Sequence, residues 1–174
     1  TGSNPSCSGQ AIGFTATPTN GGSTPAYQWQ VNGSNVGTGS TFSSSSLSSG
    51  DVVTCVLTSN LSCASPSTAT SNSTTVTINP SVTPSVTTSL TSGSNPTCAG
   101  QSVTFTATPT NGGSTPSYQW SVNGVSVGTG ASYSSSSLTN GAVVTCVMTS
   151  NASCATPATA SSSGITMQVT SVTP

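Results

Sequence analysis

Apolar and hydroxyl-bearing residues alternate along much of this chain. In Ser102 to Thr108, Val103, Phe105 and Ala107 share one face. In Ser117 to Val122, Tyr118, Trp120 and Val122 do the same. Ser85 to Thr91 places Val86, Thr88 and Leu90 on a common side. A period of two is the pattern of a half-buried β-strand. Further strands are predicted over Val125 to Val127, Tyr133 to Leu138, Val143 to Thr149 and Ile165 to Val169. Glycine, asparagine and proline clusters separate them: Gly93-Ser-Asn-Pro96, the loop from Pro109 to Pro116, Gly128-Thr-Gly130 and Asn140-Gly141. Asn123-Gly124 is a hairpin signal, because both residues tolerate positive φ. No segment has helical periodicity.

The pattern is written twice. Phe14 to Trp29 returns at Phe105 to Trp120 with one change, Ala26 to Ser117. Cys7, Cys55 and Cys63 recur 91 positions later as Cys98, Cys146 and Cys154. Most aligned residues are identical. Each copy holds about seven short strands, with a tryptophan on the third and a cysteine on the sixth. That order matches an immunoglobulin-like sandwich. The expected fold class is therefore all-β, two tandem immunoglobulin-like β-sandwiches without helix. Residues 1–80 form the first repeat, 81–84 a Pro-bearing linker and 85–174 the second. Leu47 to Cys55 resembles the start of strand F in such domains, with Val53 where a tyrosine is usual. In that register Val53, Cys55 and Leu57 face the core with Trp29, and Ala16 lies opposite Cys55 on strand B. The usual disulfide between strands B and F is then absent. Tyr27 and Trp29 read as core residues rather than as a sugar-stacking platform.

The first copy has no counterpart of the strand at 85–91, because Thr1 aligns with Ser92. Ser171-Val-Thr-Pro174 repeats Ser81-Val-Thr-Pro84. These features lead to the expectation of a stretch drawn from a longer tandem array. The alternative is a subunit whose first strand is donated by a neighbour, since a sandwich lacking an edge strand exposes backbone and core.

Composition narrows the function. Lysine, arginine and histidine are absent and Asp51 is the only acidic residue. General acid–base catalysis and paired-carboxylate chemistry lack their groups, and a serine nucleophile lacks a base. Asp51 becomes Ala142 in the second copy. The expectation is no enzyme, no cofactor and no metal. Nucleic acid is not expected as a partner without cations to neutralise phosphates. No apolar run spans a membrane and no signal peptide is present. The chain reads as an exported protein or a piece of one.

Three cysteines per copy leave the disulfide framework open. Cys7 with Cys63, Cys55 with Cys63, and a bridge between modules such as Cys7 with Cys154 are the three options. Strand counting puts Cys7 and Cys63 near opposite ends of one sandwich, which counts against the first. Asn32, Asn60, Asn72 and Asn151 fit the N-glycosylation pattern, with Asn60 and Asn151 ranked first as equivalent loop positions. In so Asn- and Ser-rich a chain such matches also arise by chance.

Several stretches together carry a resemblance: Asn95 to Ala107, Asn111-Gly-Gly113, Tyr118-Gln-Trp120, Asn123-Gly124, and Gly141 to Asn151 followed by Cys154. With these the modules resemble the repetitive immunoglobulin-like domains of giant bacterial cell-surface and gliding-motility adhesins of the Bacteroidetes type. The resemblance implies export, often by the type IX route, and display as stalks or filaments outside the cell. It assigns no catalytic residue. It favours pairing Cys7 with Cys63 and Cys98 with Cys154, leaving Cys55 and Cys146 as buried thiols. Related modules use acidic loops for calcium, which this chain does not have. The expected function is a structural repeat or spacer in a surface adhesin or filament, with neighbouring copies of itself as partners. The alternatives are a module that binds carbohydrate or another surface, with surface glycans as partners, and a filament subunit that polymerises by donor-strand addition.

Overall fold

The computed structural model describes residues 2–171. Thr1 and the last three residues of the Ser171–Pro174 motif lie outside that range. The chain divides into two compact units, Thr1–Pro80 and Ser81–Pro174. Every regular element among the described residues is a strand.

In the second unit the strands are β10 (Ser85–Ser92), β11 (Thr97–Cys98), β12 (Val103–Thr110), β13 (Ser117–Val122), β14 (Val125–Thr129), β15 (Ser132–Ser135), β16 (Val143–Thr149), β17 (Thr159–Ser161), β18 (Ile165–Thr166) and β19 (Val169–Thr170). One sheet has the order β10-β12-β15 and the other β14-β13-β16-β17, with β18 also on β16. β11 runs parallel to β19. The first strand thus pairs with B, and its continuation crosses to pair with the last strand. This is the immunoglobulin-like sandwich. The first unit repeats it with β1 (Ser6–Cys7), β2 (Ile12–Thr15), β3 (Ala26–Val31), β4 (Ser34–Thr38), β5 (Thr41–Ser44), β6 (Val52–Thr58), β7 (Thr68–Thr70), β8 (Thr74–Thr75) and β9 (Ile78–Asn79). Here one sheet is β2-β5 alone, and the other is β4-β3-β6-β7 with β8 on β6.

The core is built round the tryptophan. Trp120 is fully buried and stacks on Tyr133 of β15 at 6.0 Å, with Phe105 of β12 tilted against it at 6.3 Å. Its indole N–H donates to the Gly130 carbonyl at 2.9 Å. Trp29 repeats this with Phe42, Phe14 and the Gly39 carbonyl. Directly across the ladder from each tryptophan lies the strand-F cysteine, Cys146 or Cys55. Beside each tryptophan the hairpin register slips. The preceding glutamine supports this bulge: the Gln119 amide nitrogen donates to the Gly128 and Trp120 carbonyls at 2.8 and 3.1 Å. Asn123 and Gly124 both take positive φ, as the tight primed turn requires.

Several boundaries differ from the expectation. The last strand of the second copy, expected over Ile165–Val169, is split into β18 and β19, and β17 precedes it unforeseen. The serine-rich strand stops at Ser135 instead of Leu138. Residues 81–84, expected as a linker, are bound into the second unit. Val82 bridges Ala155, the Ser81 hydroxyl donates to the Cys154 carbonyl, and the Asn111 amide donates to the Thr83 carbonyl.

Trp120→Ala should lower the stability of the second unit by about 3–5 kcal/mol, the usual cost of deleting a core aromatic. The denaturant midpoint of the full chain measures it.

Candidate functional site

Two kinds of feature stand out from the fold: the cysteines with their asparagine neighbours, and a groove on the first unit.

Cys7 and Cys154 are disulfide-bonded, whereas Cys55, Cys63, Cys98 and Cys146 are free thiols. The pairs Cys7–Cys63 and Cys98–Cys154 are therefore not what the structure holds. The reason lies in the strand order. Cys7 sits on β1, opposite Asn79 of β9, near the pole where Ser49 bonds the Ile78 amide. Cys63 follows the far end of β6, where Asn60 bonds the Gly21 carbonyl. A seven-residue strand separates these poles, roughly 23 Å at about 3.3 Å per residue. A disulfide needs Cα atoms within about 7 Å. Cys55 and Cys146 are buried against their tryptophans. Burial raises both thiols above their ordinary pKa, against a smaller opposing effect of backbone hydrogen bonds at Gln28 and Gln119. Cys63 and Cys98 are exposed.

Asn60 and Asn151, the leading glycosylation candidates, are clasps for the B–C loop. The Asn151 carbonyl oxygen accepts from the Thr115 amide at 3.0 Å, and its NH₂ donates to the Thr115 hydroxyl at 2.8 Å. Asn60 holds Thr24 in the same way. Gly113 explains the adjoining Gly-Gly: its φ is +83°, and a Cβ there would collide with the Asn151 side chain. Asn32 is also engaged, its amide donating to Asp51 at 2.8 Å and its oxygen accepting from Val52 at 2.9 Å. Asn72 lies in the groove described next. The clasp was foreshadowed in the sequence, because both copies retain the Asn-Gly-Gly-Ser-Thr-Pro loop together with the asparagine after strand F.

Asp51 is engaged in local hydrogen bonds. It accepts from the Ser48 backbone amide and from Asn32, both at 2.8 Å, and these bonds hold its carboxyl below the ordinary carboxylate value, the Ser48 bond most. It caps a turn. Among the described residues, no three His, Cys, Asp or Glu side chains are grouped as a metal site.

The groove has a volume of about 530 Å³. One wall is Phe14 to Thr19, and the other includes Leu57 and Ala69 to Asn72. Tyr27, Trp29, Val53 and Cys55 form its floor. Ala16 and Cys55 thus share one cavity, as their expected opposition requires. Leu57, expected in the core beside Val53 and Cys55, is only half-buried. The second unit repeats the first wall residue for residue and the other with Met148, Ser161 and Ser163 in place of Leu57, Thr70 and Asn72, but β10 lies over them: Val86, Phe105, Ala107 and Met148 are all buried in one cluster.

No protein-family model matches the chain, and no curated protein does. Among solved structures, the fibronectin(III)-like modules of Clostridium thermocellum CbhA are similar at 14% identity, covering 97% of this chain and 88% of theirs, with a TM-score of 0.40. Three N-terminal domains of the bacteriophage RB49 highly immunogenic outer capsid protein are similar at 15% identity, covering 95% and 55%, with a TM-score of 0.39. The mouse nectin-like molecule 4 ectodomain is similar at 12% identity, covering 87% and 56%, with a TM-score of 0.38. The chain spans little more than half the length of the last two.

Two outcomes follow from this geometry. Alkylation of the native chain with iodoacetamide should label Cys63 and Cys98 first, and Cys55 and Cys146 only after unfolding. Peptide mapping by mass reads the order, and early labelling of Cys55 would contradict the buried-thiol assignment. Asp51 is the one side chain that titrates between pH 2 and 7. A carboxyl held low in the folded state stabilises above its unfolded pKa and loses that contribution as pH falls through the folded one. The melting temperature of the first unit should therefore dip slightly on acidification below about pH 4. In Asp51→Asn the profile should be flat.

Proposed function

We propose that the chain is a structural repeat of an extracellular bacterial adhesin or filament, a spacer that sets length. The observation that carries this reading is the path of the chain through the second unit. It enters at the pole of Val82, beside Ala155 and Asn111. It leaves at the opposite pole, where the Val169 amide donates to Asn140 and β19 lies on β11. A module entered at one end and left at the other extends a fibre by its own length. Here that is at least the seven residues of β16, roughly 23 Å.

Other features support the reading. The disulfide-bonded cysteines suit an oxidising compartment outside the cytoplasm. The surface is almost free of charge, so its cohesion rests on amide and hydroxyl bonds that salt does not screen. The first unit's groove is lined by residues that the second unit uses as core, which makes it a place for a strand more than for a sugar.

The test is surface labelling. Antibodies raised against the second unit should stain intact cells of the source organism, and a brief external protease of broad specificity should remove the signal. Staining that requires permeabilised cells would overturn the extracellular reading.

A further inference from the structure

We propose that the groove on the first unit is the seat of a β-strand of the β10 kind, supplied by a further copy of the module. The two units form an internal control. Ile12, Trp29, Val53, Cys55 and Val76 are as buried as their counterparts Val103, Trp120, Val144, Cys146 and Met167. Three apolar residues buried in the second unit have less buried apolar counterparts in the first, and those three counterparts line the groove. Phe105 is 0% exposed, Ala107 5% and Met148 0%, whereas Phe14, Ala16 and Leu57 are only half-buried. Two of these three residue pairs are chemically identical, so side-chain type does not account for the difference. What covers them in the second unit is β10, through Val86 and Leu90.

The backbone makes the same argument. Ala107-Thr-Pro-Thr110 is part of β12 and pairs with β10 from Ser85 to Thr88. Ala16-Thr-Pro-Thr19 is the same sequence, yet β2 ends at Thr15. The Ala107 amide bonds the Ala131 carbonyl on the far edge, so by alternation Thr106, Thr108 and Thr110 turn their amides to β10. In the first unit Thr15, Thr17 and Thr19 present the same edge. Carried over by the β10–β12 register, an incoming strand would set its valine opposite Pro18, its threonine opposite Ala16 and its leucine opposite Phe14. The Thr88 hydroxyl bonds the Ser163 carbonyl, and the residue equivalent to Ser163 is Asn72, which lines the groove. Apolar side chains at alternate positions would fill the floor while main-chain bonds complete the sheet, the mode of strand addition.

This inference rests on the fibre reading and names the partner within it. A copy that lends its first strand to its neighbour makes the link between modules part of a hydrophobic core. The test uses the full chain and a capped synthetic peptide of residues Pro84–Gly93. The expected result is saturable binding by calorimetry with half-saturation below about 1 mM. Hydrogen exchange at Thr15, Thr17 and Thr19 should slow by at least about tenfold, an effect confined to the first unit. A peptide carrying Val86→Ser and Leu90→Ser should bind at least about tenfold more weakly. Ala16→Arg in the chain should abolish binding while leaving the far-ultraviolet circular dichroism unchanged. If that variant does not fold, the serine-substituted peptide decides. Absence of binding, equal binding of the serine-substituted peptide, or protection mapped to the second unit would each overturn the proposal. The assay needs no cells, so such a failure would leave the surface-labelling result intact.

Discussion

The central tryptophan of each unit is the contact from which the other strands take their places. In the second unit it sits on β13, stacks on the aromatic of β15, meets the phenylalanine of β12 and lies beside the cysteine of β16, and the first unit repeats this with β3, β5, β2 and β6. Its single polar atom is satisfied by the Gly130 or Gly39 carbonyl at the turn into β15 or β5. That bond explains the glycine-rich turns and the bulge next to the tryptophan, since the turn must bring a carbonyl down to the indole. The glutamine before the tryptophan then takes up carbonyls around the bulge. Tyr-Gln-Trp is thus one device: ring, bulge support and core anchor.

A chain with one charged side chain must settle its polar groups without ion pairs. It does so with asparagines placed at loop junctions. Asn4 and Asn95 each tie the segment before strand B to the last strands by two backbone bonds. Asn60 and Asn151 tie the B–C loop to the loop after strand F. Among the described residues no buried side-chain nitrogen or oxygen lacks a hydrogen-bond partner. Net bonds of about 1 kcal/mol each are modest singly, but they depend on neither pH nor salt across the range where lysines and carboxylates titrate. In the fibre we propose, such joints would hold through changes in water chemistry. Strand addition at the first unit's groove, as proposed, would follow the same logic, because its contacts would be apolar faces and main-chain amides.

Much of this was legible in the residues. Period-two alternation located strands B, C and F, the Asn-Gly pair fixed the C hairpin, and the 91-residue echo announced two units. Trp29 and Trp120 were readable as core because each lies on the inward face of a strand with tyrosine and valine. The split of the last strand was not legible. Ile165 and Val169 alternate in sequence, yet they pair with different neighbours, β16 and β11, and only the neighbours reveal the break. The asparagine clasps were not read from the three-residue glycosylation pattern, because that pattern carries no information about what the amide touches.

By itself the sequence determined the strand pattern, the duplication, the tryptophan core and the absence of charge chemistry, since these depend on local periodicity and residue type. The tertiary structure decided two things that local pattern cannot. It decided that Cys7 and Cys154 are bonded while their counterparts Cys98 and Cys63 are free, although each pair of counterparts sits at the same place in its own sandwich, so local sequence cannot separate them. It also decided the state of Ala-Thr-Pro-Thr, which is strand at 107–110 and not at 16–19. The four residues are identical in both places, so their own preferences cannot separate the two outcomes. A strand exists where another strand accepts its hydrogen bonds and covers its apolar face, and in this chain β10 does so for one copy of the motif.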